Sequence, residues 1–161
     1  KQPRYGRDGR VFSFYKFRTM VPDADAVLER YLRGNEAARR QWEMYQKLDR
    51  DPRITRFGAV LRKYSLDELP QFWNVLKGDM SVVGPRPCMF AQKELYGVYW
   101  SSYCAVRPGI TGLWQVSGRN EISYRRRAAM DADYVATLSI RQDIAILLKT
   151  FLVVAGARGS R

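Results

Sequence analysis

Chain-breaking residues recur so closely along these 161 residues that most regular elements must be short. Gly34-Asn35 interrupts an otherwise helical 23–50 segment, and Asp51-Pro52-Arg53 ends it. Gly78-Asp79 closes the next helix, Gly84-Pro85-Arg86-Pro87 and Arg107-Pro108-Gly109 stiffen two loops, and Ser117-Gly118 ends a further segment. Proline removes an amide donor and fixes φ, while glycine opens left-handed conformations. Short strands among several helices, without regular strand–helix–strand alternation, predict an α/β domain of α+β-like character: irregular, mostly helical, with a few short strands.

Residues 5–20 read as a hairpin, with a turn at Asp8-Gly9 and a strand over Val11–Thr19. Period two then puts Lys16 and Arg18 on one face, roughly 7 Å apart, a separation that suits two neighbouring phosphates or a solvated strand face. Leu69, Phe72, Trp73 and Leu76 recur at helical spacing, and 81–83 is short and extended. Residues 91–105 and 121–138 read as helical, and Gly112–Val116 as another strand. The apolar run 144–157 carries Lys149 and falls short of the roughly 20 residues that span a bilayer. It is either a buried helix or one whose apolar side rests on lipid.

Net charge is +12 and histidine is absent. The commonest general base is therefore missing, and polar chemistry falls to carboxylates, lysine, arginine, tyrosine or a metal ion. Such a basic chain suits anionic partners: nucleic acid, phosphorylated small molecules or an anionic membrane surface. Cys88 and Cys104 lack metal-ligand spacing and read as reduced thiols.

Against that charge, Asp67-Glu68 in Ser65-Leu66-Asp67-Glu68-Leu69-Pro70 is the first place to look for chemistry. Ser65-x-x-Glu68 also matches a capping box, and acids in a first helical turn interact favourably with its dipole. Pro70 just past that turn predicts a bent helix start that exposes the pair. Arg62 lies five residues upstream, and Arg86 sits between two prolines, pre-organised for bidentate phosphate contact. Arg119 repeats the theme of arginine beside turn residues. Two unit charges 4 Å apart interact by about 4 kcal/mol at an effective dielectric near 20, so neighbouring carboxylates call for a cation between them. Mg²⁺ would relieve that repulsion and bridge to a pyrophosphate. One carboxylate could then hold metal while the other attacks phosphorus.

Lys16-Phe17-Arg18-Thr19-Met20, Asp51-Pro52-Arg53-Ile54-Thr55-Arg56, Ser65–Gln71, Asn74–Ser81, Val83–Pro87, and Arg107–Gly112 to Gly118-Arg119-Asn120 resemble, in order, the bacterial sugar transferase family, the monotopic polyprenyl-phosphate phosphoglycosyl transferases. The resemblance implies that family's catalytic fold over 1–158 as a single domain, with 159–161 a tail or cloning remnant. It further implies transfer of a hexose-1-phosphate from a UDP-sugar to undecaprenyl phosphate at the cytoplasmic face of the bacterial inner membrane. UMP is released, and the product primes polysaccharide, capsule or O-antigen assembly. Asp67 is the implied nucleophile of a covalent phosphosugar intermediate, and Glu68 assists with Mg²⁺, the pair together being the implied metal ligands. Lys16, Arg18, Arg62, Arg86, Arg119 and Asp131 are the implied substrate-binding residues. The membrane-entering segment that precedes this region in family members is expected upstream of Lys1. The long Met20–Asp51 stretch matches larger members, often galactose- or glucose-1-phosphate transferases, and the 23–50 segment is a candidate contact between copies. The alternative from charge alone is a nucleic-acid-binding module, against which stands the spread of basic residues along the chain; no nucleic-acid partner is expected.

Overall fold

The computed structural model describes residues 1–118 and 122–155. Arg119 and the 159–161 tail lie outside the described residues.

The hairpin is present but shorter than its sequence pattern. Strand β1 (Gln2–Tyr5) pairs antiparallel with β2 (Val11–Phe14), Tyr5 standing opposite Val11. Asp8 and Gly9 close the turn at φ 57° and 69°. The predicted strand continues to Thr19, yet pairing stops at Phe14. Beyond it the backbone bonds elsewhere: Tyr15 N–H donates to Asn74 Oδ1 at 3.1 Å, Phe17 N–H to the Asp67 carbonyl at 3.0 Å, and Met20 bridges to Ile54. The period-two expectation therefore fails. Lys16 turns inward to the acid pair, whereas Arg18 is exposed with no side-chain partner among the described residues.

Helices α1 (Ala24–Arg33) and α2 (Glu36–Tyr45) break where expected, and Asn35 caps α2 by accepting from the Ala38 N–H at 2.9 Å. Helix α3 (Arg56–Lys63) is capped by Thr55, whose hydroxyl accepts from the Gly58 N–H. A tight turn over Leu66–Glu68 leads through Pro70 into α4 (Gln71–Leu76). The capping box does not form. Ser65 has φ 55° and caps nothing, and the Glu68 carboxylate takes side-chain partners instead. The proline does give an irregular helix start, but Asp67 is 2% exposed, so the predicted exposure is not found.

Strand β3 (Ser81–Val83) pairs in parallel with β4 (Gly109–Thr111), Ser81 opposite Gly109 and Val83 opposite Thr111. The strand predicted over Gly112–Val116 is instead a tight turn at Trp114–Val116, one step past the real strand. Pairing takes 109–111 because glycines let the backbones meet: a Cβ on Gly109 would lie 2.2 Å from the Gly84 nitrogen, and one on Gly112 2.3 Å from the Gly84 carbonyl oxygen. The 91–105 helix is cut at Gly97, whose φ of 52° separates α5 (Lys93–Tyr96) from α6 (Trp100–Ala105).

Helices α7 (Tyr124–Ala136) and α8 (Ile140–Ala155) complete the described chain. One core joins Cys88, Tyr96, Tyr103 and Ala128 with the rings of Tyr5, Trp100 and Tyr124; the other joins Val83, Tyr134 and Ile146. The aromatic core welds the hairpin to the second half: Tyr103 OH donates to the Tyr5 carbonyl and accepts from the Cys88 N–H at 2.9 Å. Both cysteines are free thiols.

Two helices turn their apolar sides outward. On α8, Ile140, Ile144, Leu148, Phe151 and Leu152 are 53–80% exposed. Its inner side is pinned by polar contacts, Tyr134 OH to Asp143 at 2.8 Å and the Thr111–Thr150 hydroxyl pair at 2.7 Å. The buried-helix alternative is thus set aside. On α4, the predicted apolar stripe of Leu69, Phe72, Trp73 and Leu76 is 50–79% exposed, and Gln71 and Asn74 are buried. Among the described residues, no helix is long and apolar enough to cross a membrane.

Candidate active site

The acid pair is held by Lys16, more than 50 positions away, and by Arg86, 18 positions from Glu68. Lys16 Nζ lies 2.8 Å from Asp67 Oδ2 and 3.3 Å from Glu68 Oε1. Arg86 Nη2 donates to the same Glu68 oxygen at 3.1 Å. Asp67 Oδ2 is buried and its contact with Lys16 is an ion pair without hydrogen-bond alignment. Burial opposes ionisation of Glu68, but the Arg86 and Lys16 charges outweigh it and hold this carboxyl below its usual range.

The position of Lys16 is set from both sides. Asn74, 0% exposed, accepts from the Tyr15 N–H and donates to the Ser13 carbonyl at 2.7 Å, while the Asp67 carbonyl takes the Phe17 N–H. Thr19 then passes so close to α3 that a Cβ on Gly58 would lie 2.1 Å from the Thr19 carbonyl oxygen. That approach lets Arg62 Nε donate to Thr19 Oγ1 at 2.9 Å. Burial lowers the Arg62 pKa, and Asp67 and Asp51 pull it back up. Arg86 is stiffened as expected: Pro85 and Pro87 on either side are buried, and the Gly109 N–H donates to the Pro85 carbonyl at 2.8 Å.

Lys16, Arg62 and Arg86 thus gather around Asp67 and Glu68. Arg18 is exposed outside this cluster, and Arg119 lies outside the described residues. Two cations that sequence reasoning did not single out belong to the same field. Arg4 is lowered to about 10 by burial and then by the Arg86 charge, and Arg127 is lowered for the same two reasons. Arg4 stacks over Phe14 and Arg127 over Trp114, at 5.3 and 4.7 Å from the ring centres. Arg127 lies within a helix away from any turn residue, and Arg4, although it follows Pro3, belongs to none of the motifs.

Asp131 is placed in the aromatic core. It is 2% exposed and accepts from Tyr96 OH at 2.8 Å, with no described contact to Asp67 or Glu68. Burial pushes its carboxyl up to about 7, against the opposing pull of Tyr96 and Arg127. A raised carboxyl favours the fold in its protonated form. The penalty is absent below the unfolded value near 4, grows with pH, and is complete above about 7; three units correspond to about 4 kcal/mol. Wild-type stability should therefore fall by about 3 kcal/mol between pH 5 and 8, and Asp131→Asn should remove most of that fall. Urea midpoints at the two pH values test this, and parallel losses in both proteins would refute it.

The carboxylate oxygens form a hard donor set suited to Mg²⁺, which typically takes one or two carboxylates and completes its shell with water and substrate phosphate. Among the described residues, no three or more His, Cys, Asp or Glu are grouped to hold a metal by themselves. Asp67 and Glu68 fit the two-carboxylate case.

A basic cluster surrounds a buried acid pair on a domain with exposed apolar helix faces, an arrangement whose chemistry suits phosphate groups. The chain belongs to the bacterial sugar transferase family, whose model matches residues 1–157. It is 52% identical over 157 residues to the UDP-galactose-lipid carrier transferase of Erwinia amylovora, covering 98% of this chain and 33% of that protein. It is 50% identical over 157 residues to the undecaprenyl-phosphate galactose phosphotransferase of Salmonella typhimurium, with 98% and 33% covered. It is also 50% identical to the exopolysaccharide production protein ExoY of Rhizobium meliloti, with 98% and 70% covered. The chain thus spans about a third of the first two proteins.

Proposed function

We propose that this chain is the catalytic part of a transferase that moves hexose-1-phosphate from a UDP-hexose to undecaprenyl phosphate in exopolysaccharide or O-antigen synthesis. The observation that carries this reading is the 2.8 Å approach of Lys16 to Asp67 beside the Arg86–Glu68 pair. Two relatives name galactose, which makes UDP-galactose the first donor to test and UDP-glucose the second.

An Asp67 carboxylate oxygen attacks the sugar-bearing phosphorus. The bond from that phosphorus to the bridging oxygen breaks, and UMP departs with the electron pair. An oxygen of undecaprenyl phosphate then attacks the same phosphorus and expels the Asp67 carboxylate, giving undecaprenyl-diphospho-hexose. Lys16 and Arg86, 24% and 40% exposed at their side chains, pair with the acids. Pyrophosphate oxygens compete for the same cations, so donor binding draws them outward and uncovers Asp67. Arg62 adds positive charge where the equatorial oxygens gather negative charge. Mg²⁺ held by Asp67 and Glu68 would supply further charge neutralisation at the pyrophosphate.

The lipid acceptor implies a membrane surface, and the outward apolar sides of α4 and α8 suit one. We place the protein at the cytoplasmic face of the bacterial inner membrane, where UDP-sugars are available. Full-length protein in lipid nanodiscs, given each UDP-hexose without acceptor, should release one UMP per active site and gain the mass of a hexose phosphate. Adding undecaprenyl phosphate should discharge the adduct. No UMP release from any UDP-sugar, with steeply salt-dependent RNA affinity instead, would overturn the reading.

A further inference from the structure

Three polar side chains face inward along the segment that carries the acid pair. Asp67 and Gln71 are each 2% exposed and Asn74 is 0% exposed. The tight turn at Leu66–Glu68 passes through Leu69 and Pro70, both with right-handed φ/ψ, and closes by i-to-i+3 bonds before α4 begins at Gln71. Asp67 and Gln71 are four positions apart on this right-handed path, and both are turned into the protein.

The three differ in what they bond. Asn74 engages Tyr15 N–H with its oxygen, and Ser13 O and Asp79 Oδ2 with its nitrogen. Asp67 pairs with Lys16. The Gln71 carboxamide nitrogen is fully buried and has no hydrogen-bond partner among the described residues. An unpaired buried donor costs about 1–3 kcal/mol, and an apolar side chain of the same length fills that space without the cost. A donor left unpaired four positions from Asp67 is free to bond an oxygen brought to that acid.

We infer that the Gln71 carboxamide is a catalytic hydrogen-bond donor, kept for a phosphoryl oxygen at Asp67. The inference rests on Asp67 being the phosphoryl acceptor. Oxygens of the nucleotide sugar and of the lipid phosphate offer the same chemistry, and the two half-reactions separate them.

The test uses full-length protein in nanodiscs. Gln71→Met conserves length and volume and removes the donor; Gln71→Leu is a second apolar variant. Both should melt at or above the wild-type temperature, since no bond is lost. Adduct formation from the UDP-hexose in a single turnover should slow about 100-fold, the scale for removing one oxyanion donor. Slowing confined to adduct discharge by undecaprenyl phosphate also supports the donor role and assigns it to the lipid phosphate. Wild-type rates in both half-reactions overturn the inference. So does a melting temperature lowered by more than about 5 °C in both variants, because the amide then has a structural partner. Asp67→Asn run in parallel keeps the two readings apart. An adduct that persists there defeats the nucleophile assignment; its loss there, with fast Gln71→Met, defeats the Gln71 role alone.

Discussion

Asp67→Asn is expected to lose adduct formation and UMP release together, by about 10⁴-fold or more, because the attacking oxygen is gone. The amide is nearly isosteric and stays opposite Lys16, so far-ultraviolet circular dichroism should match wild type. Glu68→Gln should behave differently. Glu68 touches both Lys16 and Arg86, and neutralising it loosens two cations without removing the nucleophile. The adduct should still form, slowed about 10²–10³-fold, the range seen when one preorganised charge-stabilising group is lost. Intact-mass spectrometry of single turnovers distinguishes the two variants. Full adduct yield in Asp67→Asn would sink the nucleophile assignment, and an unaffected Glu68→Gln would remove Glu68 from the charge network.

The second large effect lies in the backbone packing beneath Arg86. A Cβ on Gly109 would stand 2.2 Å from the Gly84 nitrogen and 2.6 Å from both the Val83 carbonyl carbon and the Thr111 oxygen. All three are backbone atoms, two in the β3–β4 pair and one in Gly84 just past β3, and none can swing aside. Gly109→Ala must therefore pry apart the parallel strands that lead into Pro85-Arg86-Pro87. The expected loss is about 3 kcal/mol or more, at the upper end for overpacking. Gly34→Ala is the control, since its nearest neighbour is 3.8 Å away and its φ of −87° suits any residue. That change should stay within about 0.5 kcal/mol. Urea midpoints for the pair decide the point; equal midpoints would mean the strands have room that the distances deny.

Much of the local structure could be read in the chain. The breaks at Gly34-Asn35 and Gly78-Asp79, the hairpin turn at Asp8-Gly9 and the stiff setting of Arg86 follow from residues that act on their own backbone. The errors cluster where a distant segment decides. Strand β2 stops at Phe14 because Asn74 and Asp67 capture the next amides. The capping box fails because Ser65 is left-handed, the Ser65 and Glu68 amides already bond the Arg62 and Ser65 carbonyls, and Lys16 and Arg86 hold the Glu68 carboxylate. The glycines of the two Pro-containing loops read as turn residues, whereas Gly84 and Gly109 serve a close backbone approach.

The sequence by itself determined which residues could carry chemistry: an acid pair, a proline-flanked arginine and no histidine, all fixed by side-chain identity. It also determined that Leu69, Phe72, Trp73 and Leu76 share a helix face, because period 3.6 is a local property. Tertiary structure alone decided which way that face points. Periodicity groups residues but does not say which group meets the core, and here Gln71 and Asn74 are buried while the apolar residues stand outside. It also brought Lys16 onto Asp67, a contact across 51 positions that no local preference encodes and that packing through Asn74 holds in place.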